Sequence, residues 1–418
     1  MATTITDIDI KGAKVPLVFE ENSQLPIISL QLVFQNSGEL STPHDGLAEM
    51  SAKLLSEGTR TEGSIAFATK LDDKAIHLSA YASRENFVIA ASSLKSEFKD
   101  AVTLLKALLK DPNYTTEALA KIKRQKLGWL DQKKSDFDYQ AGVLLRQTLF
   151  ASTPLARAYE GTEESVRSIA IKDISSFINS HLGYNNAIVV MGGDISLKDA
   201  EHTTKEILSL LPKVDSKLLP AIKASVEQKT DHIYNNDTEQ AYIYFGSPFD
   251  YSYSSDDQYK AIIMEYILGS AGFGSRIMEE IRVKRGLAYS AYASLRRTKV
   301  SSYLTGYLQT KLENEESAKA LVKEVISDFV AKGITKQELE SAKEFLVGSE
   351  ALRTETLSQR LNRAFDDYYY GRPLGFSKEQ NEKIAGVTLK EMNEFIASHP
   401  EITKLSFGIV AKNKKQLK

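Results

Sequence analysis

Apolar and polar positions along the chain follow two rhythms that come in blocks. AIHLSAYASRENFVIAASSL (75–94) changes side almost every residue, the period of half-buried strands. EFKDAVTLLKALLKD (97–111) and TTEALAKIKRQKLGWLDQKK (115–134) instead space their apolar residues three and four apart, which predicts amphipathic helices. A short apolar run then closes each half of the chain as a strand, NNAIVVMGGD (185–194) in the first and KLSFGIVAK (404–412) in the second. Strands first, helices next and one closing strand predict an α+β layer with an antiparallel sheet packed against helices.

The same order of elements occurs twice, with traces of sequence identity. SAYAS stands at 79–83 and again at 290–294. TTEALAKIKRQKLG (115–128) aligns with TKQELESAKEFLVG (335–348), and VRSIAIKDISSFINSH (166–181) with IAGVTLKEMNEFIASH (384–399). The offsets are 211, 220 and 218 residues, in the same order along the chain. That period is far longer than the repeats of solenoids. It predicts two homologous domains of ordinary size, 1–212 and 239–418, joined by a linker at 213–238, KVDSKLLPAIKASVEQKTDHIYNNDT.

Composition narrows the chemistry. The chain has 53 basic and 55 acidic residues, and no basic run is interleaved with aromatics, so a nucleic-acid partner is not expected. It has no cysteine, which removes disulfides, thiolate catalysis and cysteine metal sites together. No stretch approaches the roughly 18 apolar residues of a membrane span, and MATTITDIDIKGAKV lacks the apolar core of a signal peptide. Cytoplasmic location is the default expectation, and a periplasmic or exported one follows if a signal peptide has been removed.

GLAEMSAKLLSEGT (46–59) has one apolar face, Leu47, Met50, Leu54 and Leu55, with Glu49 and Lys53 four apart on the polar face. GSAGFGS (269–275) is rich in glycine but lacks the Lys-Ser/Thr of a phosphate loop, and RVKRGLAY (282–289) follows it. Taken with IHLSAYASRENFVIAASSL and GTEESVRSIAIKDISSFINSHLGYNNAIVVMGGD, these segments resemble, in order from about residue 25 onward, the pitrilysin/insulinase family of zinc peptidases. The likeness is to its short members of the mitochondrial-processing-peptidase type. The resemblance implies two α+β domains forming half of a clamshell.

The departures from that family are specific. Its active members carry His-x-x-Glu-His on the first helix, two imidazoles for zinc and a glutamate as general base. Here those positions read Glu49, Ala52 and Lys53, and the place of a third ligand falls near Leu130, beside Asp131. No metal is therefore expected in this chain, and the resemblance puts any zinc in a homologous partner subunit. What is kept is an arginine and a tyrosine seven apart, Arg282 and Tyr289. In the family such a pair reaches the substrate at the zinc site. A phenol suits donation to a tetrahedral oxyanion, and a guanidinium suits a peptide carbonyl. The alternative is that Arg282 closes a helix and Tyr289 sits in a strand for packing alone.

Two substrate-binding segments follow from the resemblance. The first is an edge strand that takes up an extended peptide, at Ser79, Ala80, Tyr81, Ala82 and Ser83. The second is the glycine-rich loop, at Gly269, Gly272 and Gly274, which otherwise reads as a flexible turn. The expected function is a non-catalytic subunit of a heterodimeric zinc metallopeptidase acting on peptides. The alternatives are a homodimer, or a catalytically inactive structural or peptide-binding scaffold of the same fold.

Overall fold

The computed structural model describes residues 3–413. The chain forms two compact units, each assembled from three stretches. The first takes the chain up to Asp131, Ala158–Leu219 and Arg353–Tyr369, and the second takes Gln132–Arg157, Pro220–Leu352 and the chain from Tyr370 on.

The first unit holds six strands: β1 (Thr4–Ile10), β2 (Ala13–Glu21), β3 (Ile27–Phe34), β4 (His77–Ala82), β5 (Phe87–Leu94) and β6 (Ala187–Gly193), in the order β1-β2-β6-β3-β5-β4. The second holds β7 (Thr230–Tyr234), β8 (Gln240–Pro248), β9 (Ala288–Arg297), β10 (Ser302–Lys311) and β11 (Ser406–Ala411), in the order β7-β11-β8-β10-β9. The α+β expectation holds. The sheets are mixed rather than purely antiparallel, because β6 enters parallel to β2 and β11 parallel to β7. Each closing strand returns after the helices and slots into the interior of its sheet, so it is buried on both faces and reads as a continuous apolar run.

Part of the stretch read as linker is ordered structure. Residues 230–234 are β7, whose parallel ladder with β11 relies on backbone groups rather than on a side-chain pattern. SAYAS, met twice in the sequence, falls in one of the two edge strands of each sheet: 79–82 lie in β4 and 290–294 in β9.

Each unit also contains one helix from the opposite half of the sequence. The Phe137–Leu149 helix lies on β8 and β11 of the second unit, and the Leu357–Tyr369 helix lies on β2 and β6 of the first. Close approach at each seat demands a glycine. A Cβ on Gly408 of β11 would strike the backbone of Ala141 and Leu145, and one on Gly192 of β6 would strike Leu361. The Leu357–Tyr369 helix is also fixed by charge: Arg360 donates through Nε and Nη2 to Oε1 of the buried Glu20, at 2.9 and 2.7 Å.

Candidate functional site

The Leu47–Leu55 helix starts at Gly46, whose φ of 79° lies in the left-handed region that favours glycine, and it buries Leu47, Met50, Leu54 and Leu55 as the periodicity predicts. Ala52 is buried on the same helix. The Glu49–Lys53 pair forms at 3.1 Å, but it is not merely a surface pair. Lys126, from the Thr116–Lys133 helix, places its Nζ 2.6 Å from Glu49 Oε2 and 4.1 Å from the ring centroid of Trp129. Its side chain is only 2% exposed. Glu49 thus accepts from two ammonium groups, one on each carboxylate oxygen. Burial pulls the Lys126 pKa below the ordinary lysine range, and Glu49 works against that pull.

Lys126 was missed in the sequence. Its signal was a lysine on an apolar stripe, four residues after Ile122 and seven after Leu119, both buried. Leu130, at the expected third-ligand position, is a partly buried hydrophobic packed against the first unit's core.

Zinc does not fit this arrangement. The three motif positions offer a single carboxylate, and two cations already hold it. Among the described residues no three His, Cys, Asp or Glu side chains group so as to hold a metal ion. Restoring the motif by Glu49→His, Ala52→Glu and Lys53→His is therefore expected to leave the protein with well under one zinc per chain after dialysis. The change removes the carboxylate partner of the buried Lys126 ammonium and supplies no third ligand. One tightly held zinc per chain in elemental analysis would show that a third ligand exists nearby.

Glu39 lies beneath this network. Its Oε1 accepts from the backbone N–H of Glu49 at 2.7 Å, while Oε2 is buried with no hydrogen-bond partner. Burial pushes its carboxyl from 4.5 up to about 8, opposed by that N–H, with Glu49, Lys126 and Glu160 as the charged groups around it. Between pH 4.5 and about 8 the unfolded chain has lost a proton that the folded chain keeps. Stability is therefore full below that window and falls as pH rises through it. On the order of 3 kcal/mol is expected to be lost by the first unit between pH 5 and pH 8. Glu39→Gln keeps an acceptor for Glu49 N–H and cannot ionise, so it should flatten the slope. Urea unfolding at both pH values tests this, and an unchanged slope in the variant would rule out Glu39 as its source.

In the second unit Arg282 and Tyr289 come together. Arg282 lies in a π-helical turn, Glu279–Val283, where Lys284 N–H reaches back to Glu279 O at 2.9 Å; widened turns of this kind recur at functional sites. The guanidinium carbon stands 4.8 Å from the Tyr289 ring centroid and 4.7 Å from that of Phe273. Phe273, in the glycine-rich loop, was not singled out in the sequence, where a lone aromatic among glycines was its only mark. Tyr289 is 82% exposed and Phe273 68% exposed, so the stack is offered to solvent. Neither the Tyr289 hydroxyl nor the Arg282 guanidinium makes a hydrogen bond or ion pair with a described residue.

The three glycines do not share one surface. Gly269 is buried in the π-helical turn Tyr266–Ser270, where a Cβ would strike the backbone of Ala293 in β9, so it serves packing. Gly272 and Gly274 are exposed, with φ of 61° and 103°, and a Cβ on either would meet nothing within 4 Å. These two shape the loop that carries Phe273.

Strand β4 is an edge, paired only with β5. One outward group is already engaged: Ala80 N–H donates to Ser56 Oγ at 3.1 Å. Ser79, Ala80, Tyr81 and Ala82 lie in the strand, with Tyr81 half exposed. Ser83 lies in the turn beyond it, and its carbonyl accepts from Glu39 N–H at 2.9 Å.

Fold and site together define a two-unit α+β protein whose zinc-helix positions carry an ion-pair lock. Residues 17–163 match the profile of the insulinase (peptidase family M16) domain, and residues 168–346 that of the peptidase M16 inactive domain. A protein of Helicobacter pylori called non-peptidase homolog YmxG is 43% identical over 415 residues, covering 99% of this chain and 96% of its own. The chain belongs to the insulinase family of peptidases, family M16.

Among solved structures, a peptidase M16 inactive domain from Pseudomonas fluorescens matches with a TM-score of 0.89 at 23% identity, over 99% of both chains. The periplasmic protease PqqL from Escherichia coli matches with a TM-score of 0.80 at 14% identity, over 99% of this chain and 47% of that one. Among the described residues no helix is long and apolar enough to cross a membrane.

Proposed function

We propose that this chain is the non-catalytic subunit of a two-chain zinc metallopeptidase, with the zinc held by a homologous partner and Arg282 and Tyr289 contributed by this chain. The observation that carries the reading is the state of those two side chains. They stack on each other, face solvent, and leave a phenol and a guanidinium uncommitted. A tyrosine placed for packing would bury its ring, and an arginine closing a helix would be spent on the last carbonyls. In the assembled complex the Tyr289 hydroxyl donates to the oxyanion formed at the scissile carbonyl, and Arg282 holds a peptide carbonyl in place. β4 and the loop carrying Gly272, Phe273 and Gly274 then hold the extended peptide.

Two further facts support a partner. The two-unit body is matched by about half of the PqqL chain, 47% of it, so a second body of similar size completes that relative. The zinc positions here have been refilled by an ion-pair network rather than left open. The repeated segments and the like order of β2-β6-β3-β5-β4 and β7-β11-β8-β10-β9 support an internal duplication as the origin of the two units.

The test is to purify the chain from its native host and to measure what accompanies it. A companion of similar size in one-to-one ratio, with about one zinc per pair, is the expected result. A metal-free homodimer, or a large assembly with no zinc-bearing companion, would make the chain a scaffold and return Arg282 and Tyr289 to a surface role.

A further inference from the structure

The first unit holds a cavity of about 400 Å3, formed where the end of the Leu47–Leu55 helix meets the 109–114 segment, the Ile171–His181 helix and residues 210–212. Its size lies at the small end of the range typical of ligand sites, roughly 300–1,000 Å3. Leu55, Leu109, Ile178, Leu182 and Leu211 give it apolar walls.

Three polar groups interrupt those walls. The Tyr114 hydroxyl is buried and has no hydrogen-bond partner. Burial pushes that phenol up to about 12, so at neutral pH it remains a proton donor. Arg60 and Lys110 stand exposed at the rim, and neither side chain makes a hydrogen bond or ion pair with a described residue. Asp111 also lines the cavity, and its Oδ2 accepts from the backbone N–H and hydroxyl of Thr61, at 3.0 and 2.6 Å; those bonds favour its ionised form, so the three charged groups leave the rim one net positive charge.

The rim is also held rigid. Arg60 N–H donates to Asp111 O and Asn113 N–H to Gly58 O, each at 2.9 Å, so the 58–62 loop is zipped to 111–113. A preformed mouth does not have to be ordered at the moment of binding.

We infer that this cavity binds a small carboxylic acid with an apolar body, its carboxylate at Arg60, Lys110 and the Tyr114 hydroxyl and its body against the leucines. A buried donor without an acceptor and a rim with one net positive charge call for an anionic head, and the walls call for an apolar tail. Two sources share that chemistry: a fatty acid of medium length, and the free C-terminus of a short apolar peptide.

Calorimetric titration of the full chain at pH 7.5 with octanoate, octan-1-ol, N-acetyl-leucyl-leucine and the amide of that dipeptide separates them. One or both carboxylates should bind, and whichever binds identifies the source. The alcohol and the amide should bind at least tenfold more weakly. Arg60→Gln and Tyr114→Phe should each weaken the binding acid about tenfold or more, while the melting temperature of Arg60→Gln stays put because Arg60 is a surface residue. No binding of either acid, equal binding of acids and their neutral analogues, or unchanged affinity in both variants would overturn the assignment.

Discussion

Tyr289→Phe is expected to lower turnover of the assembled peptidase about a hundredfold, the usual size for one lost donor to an oxyanion. The ring and its stack on Arg282 survive that change, since only the hydroxyl is removed and it contacts no described residue. The fold should therefore be untouched, and the whole effect should appear in kcat rather than in assembly or in KM. Arg282→Lys is the companion variant. It keeps the charge but loses the planar fork and most of its stacking on Phe273 and Tyr289, so it should raise KM for extended peptides. Steady-state kinetics of the reconstituted pair decide the matter. Full turnover with Tyr289→Phe would remove this chain from the chemistry and leave the scaffold reading standing.

Gly408→Ala should destabilise the second unit by about 3 kcal/mol or expel the Phe137–Leu149 helix from its seat. β11 is buried along its length and held between β7 and β8, so it cannot retreat. A Cβ at 408 would meet the backbone of Leu145 and Ala141, and backbone cannot rotate aside as a side chain can. Gly348→Ala is the matched control: it sits at the end of the Lys336–Gly348 helix, where a Cβ would meet nothing within 4 Å. That change should be neutral or slightly stabilising, by roughly 0.5 kcal/mol. Hydrogen exchange over residues 137–149 separates the two outcomes, because an expelled helix loses protection while the sheet keeps it. Normal protection together with normal stability in Gly408→Ala would show that the seat is looser than the geometry indicates.

Much of the molecule could be read before it was seen. The helix at 47–55 buries the residues its 3.6-residue period picked out, because period and face are the same property. β4, β5, β6 and β11 sit where alternation or a closing apolar run placed them, whereas β7 falls in the stretch read as linker. Five residues with three polar side chains and no need to bury a face, TDHIY carries no pattern of its own and becomes a strand only because β11 offers it a ladder.

The site divides in the same way. The absence of histidines at Glu49 and Lys53 is a matter of composition and was plain in the sequence. So was the seven-residue spacing of Arg282 and Tyr289, although their stacking, with Phe273 on the other side of the guanidinium, was not. The refilling of the zinc positions depended on Lys126, 77 residues beyond Glu49. Amphipathic periodicity says that a position faces inward, and it is silent on which distant element it faces.

The sequence by itself determined the element types, their order, the family and the loss of the metal ligands, since each is written in local period or in residue identity. The tertiary structure alone decided which helix covers which sheet, where Lys126 finds its carboxylate, and that Arg60, Lys110 and Tyr114 ring one cavity. Those are long-range pairings, set by packing in three dimensions between segments that carry no mark of each other along the chain.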